Sequence, residues 1–331
     1  MKILIVNNTV LPAVKYGGTE RVIWGLGKAL NNLGHEVYYL LAKGSSCPFA
    51  KAVYEYDETK TLNEQIPEHI DIVHLNFQTN EILKKPYITT FHGNVQSAFT
   101  FQVNTVFISA NQAKRFNGEV FVYNGLDWND YPQPLLDNKR NFFHFLGDAA
   151  WKVKNVKGAI KITRQAHEKL YVLGGNRLNL NMGIRFTPDL HVRFKGMVNN
   201  EQKATYIQRS KGLVFPVLWH EPFGLAIIES MYFGCPVFGT EYGSLPELIT
   251  KETGFVSNSI STLAGALTNA GSYNKKTCHS YASDNFNASV MAKNYVLLYE
   301  KVLNGEQLHA KAPFFSKEDE AKVVKRFSMS E

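Results

Sequence analysis

One arrangement occurs twice along this chain: a continuous apolar run, a glycine-bearing loop, and then apolar residues at helical spacing. The first copy opens with Ile3, Leu4, Ile5 and Val6 and passes Gly17 and Gly18. It continues from Thr19 through Val22, Leu26, Leu30 and Leu33 to a stop at Gly34. A run with no polar alternation marks a strand buried on both faces, the strand of a parallel sheet. HEVYYLL then returns to strand. Short apolar runs follow at 70–75, 87–91, 106–109 and 120–123, with room for helices between them. From Gly125 to Arg140 the pattern breaks into GLDWNDYPQPLLDNKR, whose two prolines and missing periodicity read as a linker. The second copy begins at FFHFLG, with a helix predicted over 157–169, strands at LYVLGG, VRFKG, GLVFPV and CPVFGT, and a helix over 223–233. Alternating strands and helices predict an α/β architecture of two Rossmann-like, doubly wound parallel-sheet domains. The expected boundaries are 1–137 and 138–304, with a helical pattern at 288–303 closing the second domain and a stretch of about 305–331 packing back on the first.

A length of 331 residues agrees with two domains. Apolar residues at 44% and charged residues at 20% supply a core for each half and exclude wholesale disorder. Lys+Arg at 36 against Asp+Glu at 29 leave a charge of +7, which favours anionic partners such as nucleotides, phosphorylated substrates or acidic membrane surfaces. Cys47, Cys235 and Cys278 stand isolated, without CxxC or Cys/His spacing, so neither a disulfide framework nor structural zinc is expected. The opening MKILIVNN is too short for a signal h-region or a span, and a cytoplasmic location is expected. The charged tail at 317–326 mixes acids with its bases and reads as a solvated surface helix rather than a membrane anchor.

Two segments carry candidate chemistry. KYGGTERV joins the first strand to the first helix; Gly17 and Gly18 allow close backbone approach, and the helix behind them presents N–H groups to an anion. The spacing is not GxGxxG, and no acid follows the second strand, where Leu40, Leu41, Ala42 and Lys43 stand; both facts argue against a dinucleotide oxidoreductase. The stronger signal is WHEPFGLAIIESMYFGCPV. With Pro222 at the first helical position, Glu221 would lie at a helix mouth whose N–H groups fall near Phe223, Gly224 and Leu225. Glu229 would then sit about 12 Å further along the axis at 1.5 Å per residue. That layout suits a nucleotide sugar: diphosphate on the helix N-terminus at Gly224, sugar hydroxyls near Glu221, and ribose hydroxyls held bidentately by Glu229.

With these segments in hand, the chain resembles the retaining glycosyltransferases of GT-B fold, in the group-1, or family four, branch. The resemblance rests on GGTER, GHEV, TTFHG, VYNGLD, FLG, LGG, VRFKGMV and EPFGLAIIES with its Glu-x7-Glu spacing, in that order along most of the chain. It implies two Rossmann-like domains facing across a cleft, the C-terminal one holding a nucleotide-sugar donor and the N-terminal one most of the acceptor. Carried onto this sequence, Gly17 and Gly18 approach the donor diphosphate and Glu229 holds the ribose. Glu221 contacts the donor sugar, and the backbone at Phe223, Gly224 and Leu225 completes those contacts. His92 resembles the histidine beside the transferred sugar, and Met197 and Val198 meet the base through backbone groups. No cofactor is implied, a UDP-sugar is favoured over a GDP-sugar, and the acceptor is a saccharide or lipid-linked, which leaves peripheral membrane contact open and nucleic acid out.

One departure stands in GDAAWKVKNVKGA. The family places an arginine and then a lysine after the FLG strand, directed at the leaving diphosphate; here Asp148 occupies the arginine position. KVKN resembles a sucrose-synthase-like variant, so Lys154 is the first choice for the phosphate cation and Lys157 the second, with Lys152 a candidate to replace the missing arginine. Lysines and a helix N-terminus serve as preorganised electrostatics without metal, and the sequence has no Asp-x-Asp. The resemblance implies front-face transfer with retention, the acceptor proton passing to the leaving phosphate and no protein nucleophile. A nucleotide-sugar epimerase and a non-catalytic nucleotide-sugar binder stay open as alternatives.

Overall fold

The computed structural model describes residues 1–13, 17–179, 185–319 and 327–331. The chain forms two compact units, one running from Met1 to Trp128 and resuming at Phe286, the other Asn129–Asn285 with the last residues of the chain.

The first unit is built on β1 (Lys2–Val6), α1 (Gly18–Asn32), β2 (Glu36–Leu41), β3 (Ala52–Glu55), α2 (Leu62–Gln65), β4 (Ile72–Leu75), β5 (Tyr87–Phe91), β6 (Phe99–Thr100), β7 (Thr105–Phe107) and α3 (Ala110–Arg115). Its six-stranded sheet has the order β3-β2-β1-β4-β5-β7, every pair parallel. The unbroken apolar run of β1 is explained by burial: Ile3, Leu4, Ile5 and Val6 have no exposed surface. The run at 120–123, expected as a strand, makes a single bridge from Phe121 to Phe107.

The second unit carries β8 (Phe142–Leu146), α4 (Val156–Gln165), β9 (Leu170–Leu173), β10 (Leu178–Asn179), β11 (Arg185–Phe186), β12 (Val192–Phe194), α5 (Asn200–Ile207), β13 (Ser210–Phe215), α6 (Leu225–Tyr232), β14 (Val237–Gly239), α7 (Leu245–Leu248), β15 (Gly254–Val256), α8 (Ile260–Thr268) and α9 (Lys275–Asn285). Its sheet, also parallel, runs β12-β9-β8-β13-β14-β15. Counted within each unit's main sheet, both orders are 3-2-1-4-5-6, the doubly wound Rossmann arrangement. In such sheets the chain leaves the two central strands in opposite directions, which opens a crevice at their carboxyl ends.

The last long helix, α10 (Ala288–Leu303), differs from expectation. The sequence pattern assigns it to the second domain, as part of 138–304, whereas it packs in the first unit. Its buried Met291, Ala292, Tyr295, Tyr299 and Val302 lie against α1 and β5, and Leu126 and Ala288 fix its start through backbone bonds. Periodicity shows that a helix has an apolar face, not which core that face covers. The unit boundary correspondingly falls at Trp128–Asn129 rather than after 137. Beyond α10, β16 (Phe314–Phe315) pairs antiparallel with β6 in the first unit, while Ser330 bridges to Ser259 in the second. Of the tail helix expected at 317–326, residues 320–326 lie outside the described residues.

Candidate active site

In the second unit the crevice lies between β8 and β13, and two loops from these strands are stitched together there. After β8, Gly147 turns the chain at φ +151°, and the Asp148 carboxylate accepts from Ala150 N–H at 2.8 Å. The acid that replaces an expected arginine is thus engaged in closing its own turn. A 3-10 turn at Lys152–Lys154 leads to Asn155, whose Oδ1 caps α4 by accepting from Gly158 N–H and whose Nδ2 donates to Pro216 O at 2.8 Å. Leu218 N–H donates to Val153 O at 2.7 Å, completing the stitch.

These contacts bring Lys154 and Glu221 together. Lys154 Nζ donates to Glu221 Oε2 at 2.7 Å, and Trp219 Nε1 donates to the same oxygen at 2.7 Å. The ammonium also lies 4.8 Å from the centre of the Trp219 ring and 5.3 Å from that of Phe215. Both charged side chains are largely withdrawn from water, at 14% and 7% exposure, where the pair interacts more strongly than on a surface. Behind Glu221, Gly243 adopts φ +67°, and a Cβ there would stand 2.3 Å from Glu221 N, so no other residue fits without moving Glu221. Ser244 N–H donates to Glu221 O and Ser244 Oγ to Phe223 O, fixing both carbonyls. Lys157 and Lys152 stand exposed, Lys157 in the first turn of α4.

Helix α6 begins later than the sequence predicts. Gly224 is its left-handed N-cap at φ +85° and Leu225 its first residue, so Pro222 and Phe223 precede the helix. The first-turn N–H groups therefore start at Leu225, and Glu221 is outside the helix, which removes the 12 Å axial spacing to Glu229. Pro222 does not take the first helical position because Glu221 and Phe223 are already tied to the 243–244 turn. Glu229, in the second turn, is buried and ion-paired with buried Lys203 of α5. Its Oε1, which accepts from Lys203, also accepts from Tyr131 Oη at 2.8 Å, so a ribose hydroxyl reaching that oxygen must share with or displace Tyr131. Met197 and Val198 lie in the loop between β12 and α5, Met197 exposed and Val198 half-buried.

In the first unit the crevice lies between β1 and β4. Gly17 is the N-cap of α1 and Gly18 its first residue, one position ahead of the predicted Thr19. His92 follows the last residue of β5, and three side chains latch its loop. His92 Nε2 lies 2.9 Å from Asn76 Oδ1, Gln112 Nε2 donates to Gly93 O at 2.8 Å, and Arg115 donates to Asn94 Oδ1 at 3.0 Å. Burial holds the His92 pKa down to about 4, so the ring is neutral at physiological pH.

Sequence reasoning missed Trp219, Tyr131, Lys203, Asn76 and Gln112. Trp219 was within reach, two residues ahead of Glu221, whereas Lys203 is 26 residues from Glu229 and nothing local marks it. Among the described residues no helix is long and apolar enough to cross a membrane, and no cluster of three His, Cys, Asp or Glu could hold a metal.

Residues 127–279 match a family model described as Glycosyl transferases group 1. The O-antigen chain mannosyltransferase C of Escherichia coli is 23% identical over 92% of this chain and its own entire length. A protein of Klebsiella pneumoniae described as an uncharacterized 41.2 kDa protein in the cps region is 29% identical, over 33% of this chain and only about a third (32%) of its own length. Among solved structures, AviGT4, a glycosyltransferase involved in avilamycin A biosynthesis, superposes with a TM-score of 0.72 at 19% identity, covering 92% of this chain and 98% of that one. HepE of Anabaena, solved in complex with UDP and glucose, gives 0.66 at 16% identity over 91% and 99%. The two-domain GT-B fold is that of these proteins.

Proposed function

We propose that this chain, whose residues 127–279 match the group 1 glycosyl transferases, moves a hexose-type sugar from a nucleotide-diphosphate sugar to a saccharide or lipid-linked acceptor with retained anomeric configuration. The observation that carries the reading is the withdrawn Lys154–Glu221 pair at the crevice between β8 and β13, inside the family-matched region. A leaving nucleoside diphosphate develops negative charge on a phosphate oxygen, and a cation already fixed beside it lowers the barrier without reorganising. An ammonium has three donor protons, so Lys154 can keep Glu221 and take a phosphate oxygen together. Glu221 then contacts the sugar hydroxyls, Glu229 the ribose, and the first-turn N–H groups of α6 the diphosphate. The resemblance gives Gly17 and Gly18 to the donor diphosphate and His92 to the transferred sugar, and Met197, Val198 and the exposed Lys157 border the nucleotide. The acceptor proton passes to the leaving phosphate; no protein nucleophile and no metal takes part.

Polysaccharide synthesis is supported by the E. coli relative, an O-antigen chain mannosyltransferase, and the proposed place for it is the cytoplasm, at the inner membrane face where the acceptor is lipid-linked. A uridine diphosphate sugar is the favoured donor, in line with the UDP and glucose held by HepE. The test is acceptor-dependent release of nucleoside diphosphate across UDP- and GDP-sugars, with EDTA present. Release that needs acceptor, survives EDTA and gives a product whose NMR couplings retain the donor configuration is expected. Donor conversion to an epimer without acceptor, or an inverted product, overturns the reading.

A further inference from the structure

We infer that Asn76 is a positioning residue that holds His92 as its Nε2–H tautomer, so that Nδ1, a bare lone pair, is the atom this histidine offers to a saccharide hydroxyl. The tautomer stands on the hydrogen-bond geometry of a neutral ring; the hydroxyl rests on the proposed function. Asn76 directly follows β4, and both its backbone N–H and its side-chain Nδ2 donate to Val6 O, at 3.1 and 3.2 Å. A carbonyl oxygen can only accept, so the amide atom facing it is the nitrogen; a flipped amide would set two oxygens against each other. Oδ1 is thereby turned to His92 Nε2 at 2.9 Å, and since Oδ1 also only accepts, Nε2 must carry the proton.

One proton is all the ring holds near neutral pH, because burial keeps the imidazolium form out. The charged and titratable groups around it agree. His74 of β4 is itself buried and neutral, its nitrogens tied to Tyr299 and Thr90, and Arg115 of α3 spends a guanidinium N–H on Asn94. Among the described residues His92 makes no hydrogen bond through Nδ1. Nδ1 can therefore accept from an O–H but cannot protonate a leaving oxygen, which separates His92 from the general acids. The cost of the arrangement is small, because Val6 O, Asn76 and His92 are all set by the sheet rung between β1 and β4 and by the latched loop.

The test is long-range ¹H–¹⁵N correlation on the full chain with ¹⁵N-histidine, His92 assigned by its loss in His92→Gln. The ligand-free wild-type spectrum should show protonated Nε2 and unprotonated Nδ1 near pH 8, a readout that needs no Asn76 variant. Asn76→Leu should lose that preference and lower kcat about tenfold, roughly one lost hydrogen-bonded orientation, with donor KM within about threefold. Asn76→Asp keeps an acceptor toward Nε2 but sets its second oxygen against Val6 O, so it should retain the tautomer, raise the His92 pKa and restore kcat only in part. A wild-type Nδ1–H spectrum, or an Asn76→Leu spectrum identical to wild type, overturns the inference. UDP-glucose and GDP-mannose are then titrated in turn. An Nδ1 shift with the one that is turned over supports the hydroxyl contact, and turnover without a shift sinks it. A chain that binds neither sugar sinks the proposed function and the hydroxyl with it, while the ligand-free spectrum still decides the tautomer.

Discussion

Lys154 has three ammonium protons and spends one on Glu221, whose Oε2 also takes the indole proton of Trp219. Removing the lysine leaves a withdrawn carboxylate without its cation and, on the proposed function, the leaving phosphate without its partner. Lys154→Ala should cost about 2.7–4 kcal/mol in kcat, the loss of one preorganised donor. Exposed Lys157→Ala should stay within about twofold, well under 1.4 kcal/mol; equal effects in steady-state kinetics would move the phosphate site elsewhere. The paired acids divide differently. On the proposed function Glu229 would contact ribose alike in ground and transition states, so Glu229→Ala should mainly raise donor KM, while Glu221→Ala should mainly lower kcat by loosening the sugar at the reacting carbon. The reverse ordering would refute the division. Glu221, Glu229 and Lys154 could be singled out as candidates because each sits in a contiguous motif with a turn or helix signal. Their partners could not, since a buried residue such as Lys203, brought in by another element, leaves no trace in local spacing.

At the scale of elements, each sheet buries one fully enclosed histidine, and both tie strands to helices. His74 of β4 links to Thr90 of β5 and Tyr299 of α10; His144 of β8 links to Ser210 of β13 and Ser230 of α6. Burial pulls both pKa values down to about 3, with Arg140 lowering His144 further and His92 lowering His74. In the unfolded chain these rings titrate near 6.5. Between pH 6.5 and 3 the unfolded state thus binds protons that the native state refuses, so stability present above pH 6.5 is lost as pH falls. Each ring contributes up to about 1.4 kcal/mol per pH unit in that window. Melting curves should show Tm declining below pH 6.5, and His144→Gln should flatten the decline in the second unit if it folds; a flat profile from pH 7 to 5 would show that neither ring is protected. The strands carrying these histidines were readable from their apolar runs. The start of α6 was not, because Pro222 fits a first helical turn equally well, and only the distant 243–244 turn keeps it out.

On the scale of the whole molecule, the chain's return to its first unit at Phe286 decides how the two units depend on each other. A linear reading gives α10 to the second domain and leaves the first only a stretch of about 305–331 packing back on it, so cutting the chain after Asn285 would cost the first domain little. The structure predicts the opposite. Met291, Tyr295, Tyr299 and Val302 of α10, with Leu308 and Phe315 beyond it, are six large side chains buried in the first unit. At about 1.5–3 kcal/mol each they supply roughly 9–18 kcal/mol, as much as the whole stability of a typical domain, about 5–15 kcal/mol. Their loss also leaves His74 and Thr90 without the Tyr299 and Tyr295 hydroxyls that satisfy them. A chain ending at Asn285 should therefore lose amide protection throughout β1, β4 and β5. Of its described residues the second unit gives up the short 327–331 segment, with its Ser330–Ser259 bridge and Tyr242–Ser328 bond, and it should keep β8 and β13 protected. Hydrogen exchange read by mass spectrometry separates the two sheets directly, and unchanged protection of β4 and β5 in the shortened chain would show that the first unit does not need α10.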